Sequence, residues 1–337
     1  MELHGDHWAR GARLDFAVNV VPGGPPPWLA DAVREGLATI GDYPDEEAAT
    51  LAVARRHGRA PEEVVLLNGG AQGFTLLAEA LTPARPVVVH PSFMEPDDVL
   101  TVRGRAPRRV VLAPPYRLAT ATVPDDADLV VIGNPTNPTG VLHPQDAVTA
   151  LTRPGRVMAI DEAFMDFVAG EAASLAGDPR PGLVVLRSLT KILAVPGLRV
   201  GYMLAEPQLA ACLRGLRPAW SVNALALAAL VAACERPEHL QSVAADVASA
   251  RGMLAERLTE LPGVYVHPGA ANFLLVELPD GEAVRTALRT RFGIAVRPAG
   301  GFPGLGPDHV RIAVRGHPDD DELVDALRTV LVGSTAR

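Results

Sequence analysis

Ser188-Leu189-Thr190-Lys191-Ile192-Leu193-Ala194-Val195-Pro196-Gly197-Leu198-Arg199 contains the single lysine of a chain whose other basic residues are all arginine. A guanidinium stays protonated and does not attack carbonyls. An amine can lose its proton in a suitable site and form a Schiff base. The stretch also lies between two short apolar runs, 184–186 and 200–204, rich in the branched residues that strands favour. Lys191 therefore sits where one strand ends and before the next begins. The alternative, that an arginine-biased composition left one lysine by chance, is weighed against the motifs around it.

Outward from this stretch the same pattern repeats. Runs at 64–67, 87–90, 110–112, 129–132, 157–160, 184–186 and 200–204 are short, apolar and bounded by glycine, proline or charge, as buried strands are. Helical patterns lie between several of them. This predicts an α/β fold with a mainly parallel seven-stranded sheet and helices on both faces, in which ligands bind at the carboxyl ends of the strands. Residues 28–40 and 46–57 read as helices, and the alanine- and leucine-rich stretch 223–257 as one or two more. Strands near 264–267, 272–277 and 310–314 predict a smaller α+β domain. The division expected is an arm and helix over 1–40 that contribute to the smaller domain, a large domain over 41–240, and the small domain over 241–337.

At 337 residues and 48% hydrophobic content the chain can bury a sizeable core. The net charge of -8 gives no field to attract nucleic acid, and Arg103, Arg105, Arg108 and Arg109 read as a solvated loop. The opening residues lack the basic-then-apolar pattern of a secretion signal, and charges or prolines interrupt every apolar run within about 18 residues. Two cysteines, Cys212 and Cys234, are too few for a disulfide framework, so a reduced cytoplasmic setting is expected. The nine histidines show no paired ligand spacing, and no metal is expected.

The residues that carry chemistry follow strands. Asn134-Pro135-Thr136-Asn137-Pro138-Thr139-Gly140 comes after one, Asp161-Glu162-Ala163-Phe164 after another, then Lys191, then Arg199. Around a pyridine-type aldehyde cofactor each has a task. Asp161 beside the ring nitrogen would keep it protonated, Asn137 would donate to the phenolate oxygen, and Ser188 and Arg199 would bind a phosphate. The glycine-rich Asn68-Gly69-Gly70-Ala71-Gln72-Gly73 would aim a helix N-terminus at the same phosphate. Phe93 could stack on the ring. Singly these signals are weak, but their order and the lysine among them make chance improbable.

Over nearly its whole length the chain resembles the fold type I enzymes that use pyridoxal 5'-phosphate, in the branch of histidinol-phosphate aminotransferase and threonine-phosphate decarboxylase. The resemblance implies a Schiff base on Lys191, with Asp161 at the pyridine nitrogen and Asn137 at the ring hydroxyl. It implies that Gly70, Ala71, Gln72, Ser188 and Arg199 hold the phosphate. Tyr43, in Tyr43-Pro44-Asp45, would reach the phosphate of a partner subunit, which implies a homodimer. The branch's aminotransferases usually carry tyrosine where this chain has Phe164. Asp161-Glu162-Ala163-Phe164 followed by Asp166-Phe167 is similar instead to the decarboxylases of corrinoid biosynthesis, as are His4-Gly5 and the segments 15–19 and 219–224. By that resemblance His4, Gly5 and Asn19 contact the substrate phosphate, and Arg297 and Arg311 its carboxylate. Decarboxylation of L-threonine O-3-phosphate is the activity it implies first. Amino transfer of the histidinol-phosphate type is the alternative, and a catalytically silent binding protein of the same fold is a third.

Overall fold

The computed structural model describes residues 5–120 and 122–334. Among them twelve strands form two sheets. After β1 (Leu14–Phe16) come the strands of the larger sheet: β2 (Val64–Asn68), β3 (Pro86–His90), β4 (Arg108–Val111), β5 (Leu129–Gly133), β6 (Val157–Asp161), β7 (Leu183–Ser188) and β8 (Val200–Leu204). Their spatial order is β2-β8-β7-β6-β5-β3-β4. Only β8 runs against its neighbours, so the other six end on one edge and β8 begins there. This reversal brings Arg199, the residue before β8, to the edge where the remaining strands deliver their last residues.

The central strands are buried along their length, which is why they read as continuous apolar runs. Successive side chains go to opposite faces. Val64 and Leu66 meet the layer of helices Pro27–Gly36, Glu47–His57 and Ala224–Cys234, through Leu29, Val53 and Leu230. Val65 and Leu67 meet the layer of Ala71–Leu81, Glu95–Val102 and Pro207–Leu216, through Phe74, Leu100 and Leu213.

The smaller sheet adds β9 (Tyr265–His267), β10 (Phe273–Glu277), β11 (Ile294–Pro298) and β12 (His309–Ala313), in the order β1-β11-β12-β10-β9. Along β10, Leu274 and Val276 join a separate core with Leu258 and Leu327 from helices Pro237–Thr259 and Asp319–Ser334. Phe273 and Leu275 point the other way, into the core of the larger sheet. That two-sided strand holds the smaller sheet against the larger.

The expected division of the chain needs two corrections. Of residues 1–40 the strand β1 does join the smaller sheet, parallel to β11, but helix Pro27–Gly36 buries Leu29 in the larger core beside Ala224–Cys234. A break at 240 would fall inside the continuous helix Pro237–Thr259. Among the described residues no helix is long and apolar enough to cross a membrane.

Candidate active site

A cavity of about 610 Å³ opens at the carboxyl edge of the larger sheet, between it and the smaller one. The Lys191 stretch forms its floor. The chain leaves β7 at Ser188 and winds back through tight turns, with Ala194 and Arg199 both at positive φ (55° and 62°). Non-glycine residues rarely adopt that conformation, and strain of this kind collects at functional sites. Lys191 Nζ donates to Ser188 Oγ at 3.2 Å, and Ser188 Oγ lies 2.9 Å from Thr190 Oγ1. Burial holds the Lys191 amine below the usual lysine range; Asp161 opposes the shift, and Arg199 and Arg311 add to it. An amine lowered in this way is a better nucleophile and base at neutral pH.

Asp161, the last residue of β6, faces the same cavity, and its Oδ1 accepts from the Ala163 N–H at 3.0 Å. Burial raises its pKa, against the pull of Lys191 and the Ala163 N–H. A cationic N–H brought beside this carboxylate would relieve that cost. Asn137, after β5, has its carboxamide oxygen held by Arg311 Nη1 at 2.6 Å, which leaves its amide N–H groups to face a ligand oxygen.

Gly70 and Ala71 line the cavity at the start of helix Ala71–Leu81, an end that no side chain caps. That is an anion seat. Two glycines make room for it. A Cβ on Gly69, at φ 81°, would lie 2.5 Å from Arg199 Nη2, and one on Gly201 would lie 2.7 Å from the Gly70 nitrogen. Ser188 and Arg199 complete the seat. Gln72 departs from expectation. Its side-chain oxygen accepts from the Asn68 N–H at 2.7 Å, its own N–H donates to Gly69 O, and it does not line the cavity.

Phe93 and Phe164 both line the cavity. Phe164 stands edge-on to Phe273 at 5.1 Å, with its ring centroid 5.2 Å from Lys191 Nζ. On the far wall Arg297 of β11 and Arg311 of β12 are directly paired across the strands, 4% and 5% exposed. Two like charges set opposite each other at that depth favour an anionic ligand. Arg311 Nη2 also donates to Ala17 O at 2.7 Å. Gly5 and Asn19 line the mouth; a Cβ on Gly5 would meet Ala17 O at 2.7 Å. His4 lies outside the described residues. Tyr43 does not line the cavity; it is 75% exposed and stacked on Trp220 at 4.2 Å.

Asp6, Glu95, Thr190 and Phe302 also line the cavity and were not singled out from the sequence. The position of Glu95 just past β3 was the available signal. Elsewhere, strand pairing gathers residues that sequence spacing keeps apart: His267 and His309 place Nε2 at 2.8 and 3.3 Å from Glu277 Oε1. The Gly306 N–H donates to His309 Nδ1 at 3.2 Å, so His309 carries its proton on Nε2 and donates to Glu277 rather than offering a lone pair to a metal. The expected solvated loop of arginines is largely paired: Arg109 forks onto Asp97 at 2.8 Å and Arg103 meets Glu79 at 2.7 Å.

Known proteins are similar to this chain in sequence and in fold. The chain is 45% identical over 329 residues to a histidinol-phosphate aminotransferase of Mycobacterium tuberculosis, covering 96% of this chain and 89% of that protein. It is 33% identical over 335 residues to the threonine-phosphate decarboxylase of Salmonella typhimurium, covering 95% and 92%. The fold superposes with a TM-score of 0.84 on a histidinol-phosphate aminotransferase of Sinorhizobium meliloti solved with pyridoxal-5'-phosphate, 22% identical, covering 99% and 96%. The pattern described as aminotransferase class I and II matches residues 13–330, and the chain belongs to that family.

Proposed function

We propose that this enzyme removes the carboxylate of L-threonine O-3-phosphate, giving carbon dioxide and (R)-1-aminopropan-2-yl phosphate, the reaction of the corrinoid-pathway decarboxylases it resembles. Its cofactor is pyridoxal 5'-phosphate. The cavity fits that group: a buried amine of lowered pKa at Lys191, a carboxylate at Asp161 that a ring N–H would satisfy, and an uncapped helix end at Gly70 and Ala71. Asn137 would hold the ring oxygen, and Ser188 and Arg199 the phosphate. When bound, the pyridine ring accepts the electron pair left on Cα as a bond there breaks. Arg297 and Arg311 would orient the substrate's anionic groups, and Gly5 and Asn19 would close over its phosphate. Lys191 would return a proton to Cα once carbon dioxide has left.

Phe164 carries this reading. The branch's aminotransferases usually place a tyrosine hydroxyl there, and this chain places an apolar ring packed on Phe273. Carbon dioxide release from threonine phosphate, measured beside amino transfer from histidinol phosphate to 2-oxoglutarate, tests it. Release is the expected result; transfer without release overturns it.

The transfer reading has support of its own. The relative of 45% identity carries that name, and Asp6 and Glu95 line the cavity as carboxylates that could accept N–H bonds from an imidazole. In either reaction we infer a cytoplasmic homodimer in which Tyr43 serves the partner's phosphate seat. The two cysteines are unpaired thiols, which suits a reducing compartment.

A further inference from the structure

Behind the cavity, on the opposite face of the larger sheet, lies a group of charges that the reading above does not use. Glu162 and Arg187 are both 0% exposed, and Arg187 Nη1 donates to Glu162 Oε2 at 2.9 Å. Glu162 also accepts from Ser174 Oγ at 2.7 Å and from the Leu175 N–H at 2.6 Å. Arg187 Nη2 reaches Asp166 at 3.2 Å and Glu171 at 2.7 Å. Arg56 closes the outer side on the same two carboxylates.

Their place in the strands gives these charges a meaning. Glu162 directly follows Asp161, and Arg187 directly precedes Ser188. Because side chains alternate across a sheet, each strand end presents one residue to the cavity and its neighbour to the network. β6 and β7 are adjacent and parallel, with Asp161 paired to Leu186, and the Glu162 N–H donates to Leu186 O at 2.9 Å. The ion pair thus ties together the two strand ends whose other faces carry the ring-nitrogen carboxylate and the phosphate hydroxyl. Ser188 in turn holds Lys191 Nζ. A buried ion pair of this kind adds little stability beyond what two packed apolar side chains would give. What it adds is a fixed geometry.

We propose that Glu162 and Arg187 are positioning residues that set the spacing between Asp161 and the Ser188–Lys191 turn, and so the affinity and protonation of the bound cofactor. This deepens the cofactor assignment and rests on it, but not on which Cα bond is cleaved.

The test compares variants at the inner and outer ends of the network. Glu162→Gln keeps an acceptor for the Leu175 N–H but turns a donor toward Arg187, and Ser174→Ala removes the hydroxyl that donates to Glu162 and accepts from the Ala176 N–H and Arg187 Nη1. Glu171→Gln alters the rim, where the Glu171 side chain is 30% exposed. Three quantities are read for each: pyridoxal phosphate affinity of the refilled apoprotein, the pH midpoint of the visible band of the bound cofactor, and the thermal midpoint of the apoprotein. Glu162→Gln is expected to weaken cofactor binding about tenfold or more, the size of one lost charge-assisted hydrogen bond, and to move the band's midpoint. Ser174→Ala should move both in the same direction by less, and it keeps the test available if Glu162→Gln does not fold. Glu171→Gln should lower only the thermal midpoint. If all variants lose thermal stability while binding and the band stay put, the pair is merely structural and the proposal fails. If even the unaltered chain neither binds pyridoxal phosphate nor shows its band, the cofactor assignment fails instead.

Discussion

Lys191 is where composition, geometry and charge agree. Its amine lies against Ser188 Oγ and above Phe164, lowered by burial and by two arginines. Lys191→Arg would keep a positive charge but remove the only amine side chain in the sequence. Turnover is expected to fall at least ~10³-fold, within the usual span of a lost acid–base group, while circular dichroism stays that of the folded protein. Borohydride treatment of the unaltered holoenzyme should label one lysine peptide and of the variant none; residual turnover near the original rate would remove Lys191 from the chemistry. The candidate site was legible in the sequence through order: an amine among guanidiniums stands out alone, whereas a carboxylate ending an apolar strand and a glycine-rich turn, each common by itself, gain meaning beside it. Gln72 stands one residue behind the cavity lining, with its carboxamide turned back on its own backbone. Asp6 and Glu95 gave little signal, since carboxylates on a surface are ordinary.

At the level of elements, runs that are buried on both faces announce themselves, and all seven strands of the larger sheet lie at or within two residues of the expected runs. The three-residue β1 does not, because Asp15 interrupts it and its partner β11 lies about 280 residues away. Pairing between distant strands is also what hides Glu277 between His267 and His309. The start of helix Asp319–Ser334 gives a measurable consequence of such packing. Asp320 is 5% exposed, and burial pushes it up to about 6 even though the Arg315 and Gly316 N–H groups, at 3.0 and 2.9 Å, favour the charged form. A carboxyl raised from its ordinary value of 3.8 binds its proton more tightly when folded. Its contribution is therefore fully present below pH ~4 and is lost as pH rises through about 6, by roughly 2–3 kcal/mol. Asp320→Asn removes the titration. Urea unfolding of both proteins should show the original losing stability relative to the variant between pH 4 and pH 8; a constant difference across that range would show that Asp320 does not titrate between them.

For the whole molecule, the surface around Tyr43 bears on how many chains complete one site. Leu37, Ile40, Tyr43 and Trp220 are 50%, 62%, 75% and 56% exposed, and the last two stack on each other. Large apolar side chains left in water mark an interaction surface, and Tyr43 does not line the cavity of its own chain. A second copy that covers this surface and receives Tyr43 at its phosphate seat accounts for both facts. Sedimentation should then give twice the 35.4 kDa chain mass. Complementation is the sharper measurement. Tyr43→Ser chains keep Lys191 but would deprive their partner of the phosphate contact, whereas Lys191→Arg chains lack the amine but keep Tyr43. Each homodimer alone should be poor or inactive. In a mixed dimer the site holding Lys191 receives Tyr43 from the other chain, so activity should rise after the two are unfolded and refolded together. The ceiling is one competent site per mixed dimer. If mixing restores nothing while sedimentation shows that mixed dimers have formed, Tyr43 does not cross between subunits and its stack on Trp220 is only packing.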